Sequence, residues 1–266
     1  MELKLAANTW CYKAMPKNEV IDHLAALGLK GVELIQHGPC HHADLLFTKA
    51  EIAAQIEYAQ SKGIEVVAIS PGTDFLKFDD DEARQMIEHV IATTELAVRY
   101  GVSVSRIFSG GRVPEGRTFD ECVAAVVRCL KVGCEHAEDR GVKLAIESHG
   151  KFGCDLDGMY RIIDEVGSPN LGMTLDTSNF FVNGVDPIAA IEKLGADRVF
   201  HTHLKDSFVS EDERYGTAVG EGSLDFPGIL AALKEGGFEG WYCLEYEGKE
   251  DPDLGLKKGI DYLASL

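Results

Sequence analysis

The chain has no apolar run long enough to cross a bilayer as a helix, so no helical membrane anchor is expected within it. It also has no cluster of Lys and Arg. With 26 basic against 44 acidic residues, the formal charge is -18. Nucleic-acid binding needs a basic face that neutralises phosphates, so neither nucleic acid nor an anionic membrane is expected as a partner. There is no CxxC pair, and the cysteine count of seven is odd. The opening MELKLAANTW lacks the basic head and apolar middle of a signal peptide. The expectation is reduced thiols and a cytoplasmic location. Proline is sparse at 8 residues, and no low-complexity stretch or composition shift marks a linker. One domain over residues 1–266 is the simplest organisation.

What the chain does have is alternation. Short runs rich in Val, Ile and Leu recur at 3–7, 31–35, 64–70, 103–108, 142–147, 171–175, 198–204 and 240–245. Between and after them lie amphipathic stretches expected as helices, near 18–27, 48–62, 80–100, 118–140, 156–166, 186–194, 226–235 and 253–266. Gly28, Gly63, Gly101, Gly141, Gly195 and Gly237 follow these stretches, where a left-handed C-cap favours glycine. Thr118 and Glu121 have capping-box spacing. Continuous apolar strands alternating with helices predict a parallel sheet covered by helices. Eight such units favour a closed α/β (β/α)₈ TIM barrel over an open doubly wound sheet. The open sheet would want a glycine-rich phosphate loop after an early strand, and the first strand runs into Asn8-Thr9-Trp10 instead.

Barrel chemistry collects where strands end and βα-loops begin. The fifth expected strand ends in Glu147 and His149, and the sixth in Asp176 and Asn179. The seventh ends in His201, His203, Lys205 and Asp206, and the eighth in Glu245 and Glu247. A single such residue is usually a cap partner or a satisfied core group. Four consecutive strands each ending in a carboxylate or imidazole is a different matter, because burying those groups is costly without a counter-charge. His201 and His203 share a face by strand parity, and His203 lies nearer the mouth. The set Glu147, Asp176, His203 and Glu245 is mostly oxygen and suits one divalent cation. Mn²⁺ is the first expectation, with Mg²⁺, Co²⁺ or Zn²⁺ also able to bind.

The segments LAIES, GMTLDTSNF, HTHLKD, GEGSLDFPGIL and GWYCLEYEG carry a resemblance over nearly the whole chain. The sequence resembles the xylose isomerase-like barrel superfamily, in its branch of sugar isomerases, ketose epimerases and inosose dehydratase-like proteins. That resemblance implies metal ligation by Glu147, Asp176, His203 and Glu245, with Glu147 and Glu245 also moving protons. A cation that polarises a ketone and its neighbouring hydroxyl acidifies the C–H between them and stabilises the enediolate. A nearby carboxylate takes that proton and returns it to the other carbon or the other face. The chain departs from many relatives in carrying Asn179, not His, three residues after the sixth-strand Asp. The branch related to endonuclease IV needs further His ligands after the third and fourth strands. Here those regions read AISPGTD and IFSGGRV, so a trinuclear nuclease is not expected.

The expected activity is a divalent-metal-dependent isomerase or epimerase of a small sugar or polyol-derived ketone. A dehydratase of the inosose or dehydroshikimate type is the alternative within enzymes, and a catalytically silent sugar-binding barrel is the alternative outside them. Substrate contacts are expected from His149, Asn179, Lys205 and Trp10. Lys205 suits a substrate oxyanion or a neighbouring carboxylate equally well, and Trp10 suits a substrate wall or rim packing. Glu33 is expected to hydrogen-bond inside the barrel, and Asp206 to cap a loop. The GPCHHADL stretch, with His41 and His42 and with His37 just before it, lacks the spacing of a zinc motif and is expected as a lid. The GEG turn at 220–222 is too little to predict phosphate binding. A homodimer or homotetramer is expected by resemblance.

Overall fold

The computed structural model describes residues 3–13, 15–35 and 49–266. His37, His41 and His42 lie outside the described residues. The parallel strands are β1 (Leu5–Asn8), β2 (Gly31–Ile35), β3 (Glu65–Ser70), β4 (Val104–Phe108), β5 (Lys143–Glu147), β6 (Leu171–Asp176) and β7 (Val199–His203). A two-stranded hairpin follows, β8 (Asp206–Val209) and β9 (Arg214–Thr217), and then the last parallel strand, β10 (Tyr242–Leu244). The helices are α1 (Lys17–Ala26), α2 (Lys49–Ser61), α3 (Asp80–Tyr100), α4 (Phe119–Glu138), α5 (Gly150–Gly153), α6 (Leu156–Val166), α7 (Thr177–Val182), α8 (Pro187–Leu194), α9 (Phe226–Glu235) and α10 (Pro252–Ala264).

The eight parallel strands run in the order β10-β1-β2-β3-β4-β5-β6-β7. The ring closes through a parallel bridge between Leu204 and Leu244. There Leu204 N–H donates to Cys243 O at 2.7 Å, and Glu245 N–H donates to Leu204 O at 3.1 Å. This is the (β/α)₈ barrel expected from the alternation. Among the described residues, no helix is long and apolar enough to cross a membrane.

The helix ends obey the sequence signals. Thr118 and Glu121 form the reciprocal capping box. Asp79, Asp155, Asp186, Asp225 and Asp251 each accept first-turn N–H groups, so part of the acidity caps helices. Gly101 ends α3 in the left-handed region at φ 70°, as its position predicts.

Two apolar regions result. The larger fills the space between barrel and helices. The smaller lies inside the barrel: Ala6, Val67, Ala68, Val104, Ala145 and Cys243, with Phe200 and Trp241 packed against it. Small residues are required here. A Cβ on Gly31 would come within 2.9 Å of the Trp241 ring and 2.8 Å of Ala6. This layer is the floor on which the polar residues stand, because residues two further along each strand share its face.

Candidate metal centre

Glu147 ends β5, Asp176 ends β6, His203 ends β7, and Glu245 follows β10. In the sheet Asp176 pairs with His203, and Glu147 pairs with Thr174, two residues before Asp176 on the same face. All four are buried. Each offers a ligand atom, and these atoms lie within 4.8 Å of one another. His203 Nδ1 is 3.2 Å from Glu245 Oε2, 3.5 Å from Glu147 Oε2 and 3.9 Å from Asp176 Oδ2. Those same four atoms are buried and form no well-aligned hydrogen bond, although Arg106 and Lys205 form ion pairs with the three carboxylate oxygens. Buried carboxylates held this close together call for positive charge between them. Four converging on one spot, three of them carboxylate oxygens, fit a divalent cation.

A second set of residues fixes this cup from below. Glu33 is fully buried, and its Oε2 lies 2.7 Å from His203 Nε2 and 3.0 Å from His201 Nε2. An ionised carboxylate only accepts, so both Nε2 atoms carry protons and His203 turns Nδ1 to the cup. Glu33 Oε1 accepts from Ser70 Oγ and from Arg106 Nε, the latter at 3.5 Å. Arg106 Nε in turn lies 3.1 Å from Glu147 Oε2. One buried carboxylate thus braces His203 directly and Glu147 through Arg106. The Arg106 guanidinium also covers the Phe108 ring at 4.2 Å.

The charges follow this wiring. Burial pushes the Glu33 carboxyl up, but His203 and His201 outweigh it and hold it well below the usual range. Burial likewise raises Glu147, and Arg106 with His203 brings it below its ordinary value. Burial raises Glu245, and Lys205 with His203 takes it well below. Asp176 goes the other way. Burial, with Glu245 and Glu147 beside it, pushes it well above the carboxylate range despite Lys205. With Glu33, Glu147, Asp176 and Glu245 all ionised, the cup would hold more negative charge than Arg106, Lys205 and His203 neutralise, and Asp176 is the group that yields.

The remaining expected site residues divide. Lys205 is buried in the cup wall, with Nζ 2.9 Å from Asp176 Oδ2, 3.3 Å from Glu245 Oε2 and 3.4 Å from Glu247 Oε2. It pairs with carboxylates at this point, Glu247 among them. Asn179 donates from Nδ2 to Glu147 Oε1 at 3.3 Å, and its backbone N–H donates to Asp176 Oδ1 at 2.8 Å. His149 is exposed and packs its ring 4.6 Å from that of Phe108, outside the cup. Trp10 is half-buried at the rim, with Lys13 Nζ 4.8 Å from its ring. Asp206 caps its loop, accepting N–H groups from Ser207, Gly220, Gly222 and Leu224. Arg106 was not singled out by sequence reading. Its signal was an Arg in the middle of an otherwise ordinary strand, VSRIF.

The family model for the xylose isomerase-like TIM barrel matches residues 21–266. The chain belongs to that family. An inosose isomerase of Halalkalibacterium halodurans is 29% identical over 149 residues, 53% of this chain and 52% of the relative. An inosose dehydratase of Clostridium beijerinckii is 30% identical over 134 residues, 44% of each chain. The chain thus spans about half the length of these curated relatives. Among solved structures, the IolI protein with a bound zinc atom superimposes with a TM-score of 0.80 at 20% identity, over 99% of this chain and 98% of that one. At that identity the likeness is one of fold.

Proposed function

We propose that this xylose isomerase-like barrel is a divalent-metal-dependent enzyme that moves a proton next to a ketone in a small sugar or polyol. One observation carries the reading: four buried ligand atoms, on Glu147, Asp176, His203 and Glu245, converge on one spot. Mn²⁺ is the first choice for a donor set of three carboxylates and one imidazole, and the zinc in the IolI neighbour keeps Zn²⁺ in view. When bound, the cation would polarise a ketone and its adjacent hydroxyl and so acidify the C–H between them.

The chain's own residues supply the rest. Glu147 and Glu245 stand on different strands around the cup, and both are held ionised, one beside Arg106 and the other beside Lys205. Each is therefore able to accept a proton from a substrate carbon. Return of the proton to the neighbouring carbon gives isomerisation, and return to the opposite face gives epimerisation. Lys205 offers a cationic donor to a substrate oxygen beside Glu245. His149 and Trp10 at the rim, with Asn179 behind Glu147, complete the proposed substrate contacts. A cytoplasmic homodimer or homotetramer goes with this reading.

A dehydratase is the second reading, favoured by the name of the Clostridium relative. The same proton abstraction would then expel a β-hydroxyl as water. The test is Mn²⁺-loaded protein in D₂O with a panel of ketoses and inososes. The isomerase reading expects deuterium at the substrate carbon with no loss of mass, and the dehydratase expects loss of one water. Glu147→Gln and Glu245→Gln should each abolish exchange, and unchanged exchange in both would end the proton-transfer roles.

A further inference from the structure

One buried polar group in the barrel has no task in the cup. Asn8 ends β1, is fully buried, and its Nδ2 has no hydrogen-bond partner. Its other polar atom is committed. Oδ1 accepts the backbone N–H of Trp10 at 3.2 Å, an Asx turn that opens the 3-10 turn Trp10–Tyr12. That bond fixes the orientation of the amide and leaves the donor end free.

Strand parity says where the free end faces. Ala6, two residues earlier, belongs to the inner floor with Ala145 and Cys243. Ala145 and Cys243 are themselves two residues before Glu147 and Glu245. Asn8 therefore projects inward in the same layer as those two carboxylates. The register agrees: Ala7 pairs with Leu244 and Asn8 pairs with Glu33. Asn8 stands on the wall between Glu33 and Glu245. Among the described residues, the other neutral side chains with an unpartnered buried atom lie elsewhere. Gln55 and Thr94 are on α2 and α3, and Ser105 alternates with the inward Arg106 on β4.

A buried amide N–H without an acceptor is costly, and such groups in folded proteins normally have a partner. We infer that the Asn8 side-chain amide donates a hydrogen bond to a substrate oxygen on the Glu245 side of the cup, and so helps to set specificity. The oxygen is a hydroxyl or carbonyl, because the free end of the amide can only donate. The site then has a neutral donor, Asn8, on one wall and a cationic donor, Lys205, on another. Asn179 differs, since its Nδ2 is already spent on Glu147. The assignment rests on the polyol-ketone reading above.

The experiment uses Mn²⁺-loaded protein titrated calorimetrically with scyllo-inosose and with D-fructose. Asn8→Asp keeps an acceptor for the Trp10 N–H and removes the donor, whereas Asn8→Ala removes both. Both variants should bind the better probe about tenfold or more weakly. Asn8→Ala should keep its Mn²⁺ affinity close to wild type at a temperature where the variant is folded. With diamagnetic Mg²⁺ or Zn²⁺ loaded in place of Mn²⁺, the side-chain amide signal that disappears in Asn8→Asp should shift when the probe is added to wild type. Wild-type probe affinity in both variants overturns the assignment alone, and so does an amide signal that does not move. Loss of Mn²⁺ binding in Asn8→Ala would make Asn8 a structural residue and overturn it too. Wild type that takes up Mn²⁺ but binds neither probe overturns the polyol-ketone reading, and this assignment with it.

Discussion

Glu33 Oε2 lies 2.7 Å from His203 Nε2, deep in a barrel where neither side chain meets water. The contact sets which imidazole nitrogen faces the cup. Glu33→Gln keeps the shape and an oxygen acceptor but removes the charge. The expected result is a fall in Mn²⁺ affinity of roughly 10- to 100-fold, as for other partners of ligating histidines. Titration followed by Mn²⁺ electron paramagnetic resonance measures it, with urea unfolding as the control for the fold. Affinity equal to wild type would remove Glu33 from the account of the site.

The GEG turn is a structural device. Gly222 N–H donates to Asp206 Oδ2 at 2.9 Å, and a Cβ on Gly222 would fall on that carboxylate. Asp206→Ala leaves the N–H groups of Ser207, Gly220, Gly222 and Leu224 without this acceptor. A destabilisation of about 3 kcal/mol is expected from the unpaired groups, read as a lower urea midpoint. Gly222→Ala should destabilise in the same direction by steric conflict with Asp206. Neither change should alter the number of metal ions bound per chain.

Away from the cup, His89 supplies a pH dependence. Burial lowers its pKa below 6.5, opposed only by a backbone hydrogen bond at Gly72. The folded state therefore resists a proton that the unfolded chain accepts. Its contribution is constant above the unfolded pKa and shrinks as pH falls from about 6.5 towards the lower folded value. The urea resistance of metal-free His89→Gln, taken relative to wild type, should rise between about pH 7.5 and pH 5.5, because the variant lacks this loss. An unchanged pH slope in the variant would contradict the assignment.

The barrel was legible because its signal repeats. Helices expected at 156–166 and 226–235 are found at those bounds, and a small error in any one element does not disturb an eightfold alternation. The cup was legible because its ligands end apolar strands, where charge stands out. What escaped notice lies in the second layer and at the edges. Arg106 sits within a strand whose apolar neighbours hide it, and only its contact with Glu147 shows its purpose. The first strand was expected to end at Ala7 and ends at Asn8, so a residue of the inner layer read as loop. The β8–β9 hairpin was not among the expected strands, because its strands are short and RYGT gives no alternating apolar face.

Glu147, Asp176, His203 and Glu245 are proposed to hold one divalent ion. The direct measurement is metal content per chain by inductively coupled plasma mass spectrometry, after reloading the purified protein with Mn²⁺ and removing excess. Wild type should hold about one ion per chain, because the four ligand atoms form one cluster, and Asp176→Ala should lose it. No bound metal in wild type, or full occupancy in Asp176→Ala, would contradict it.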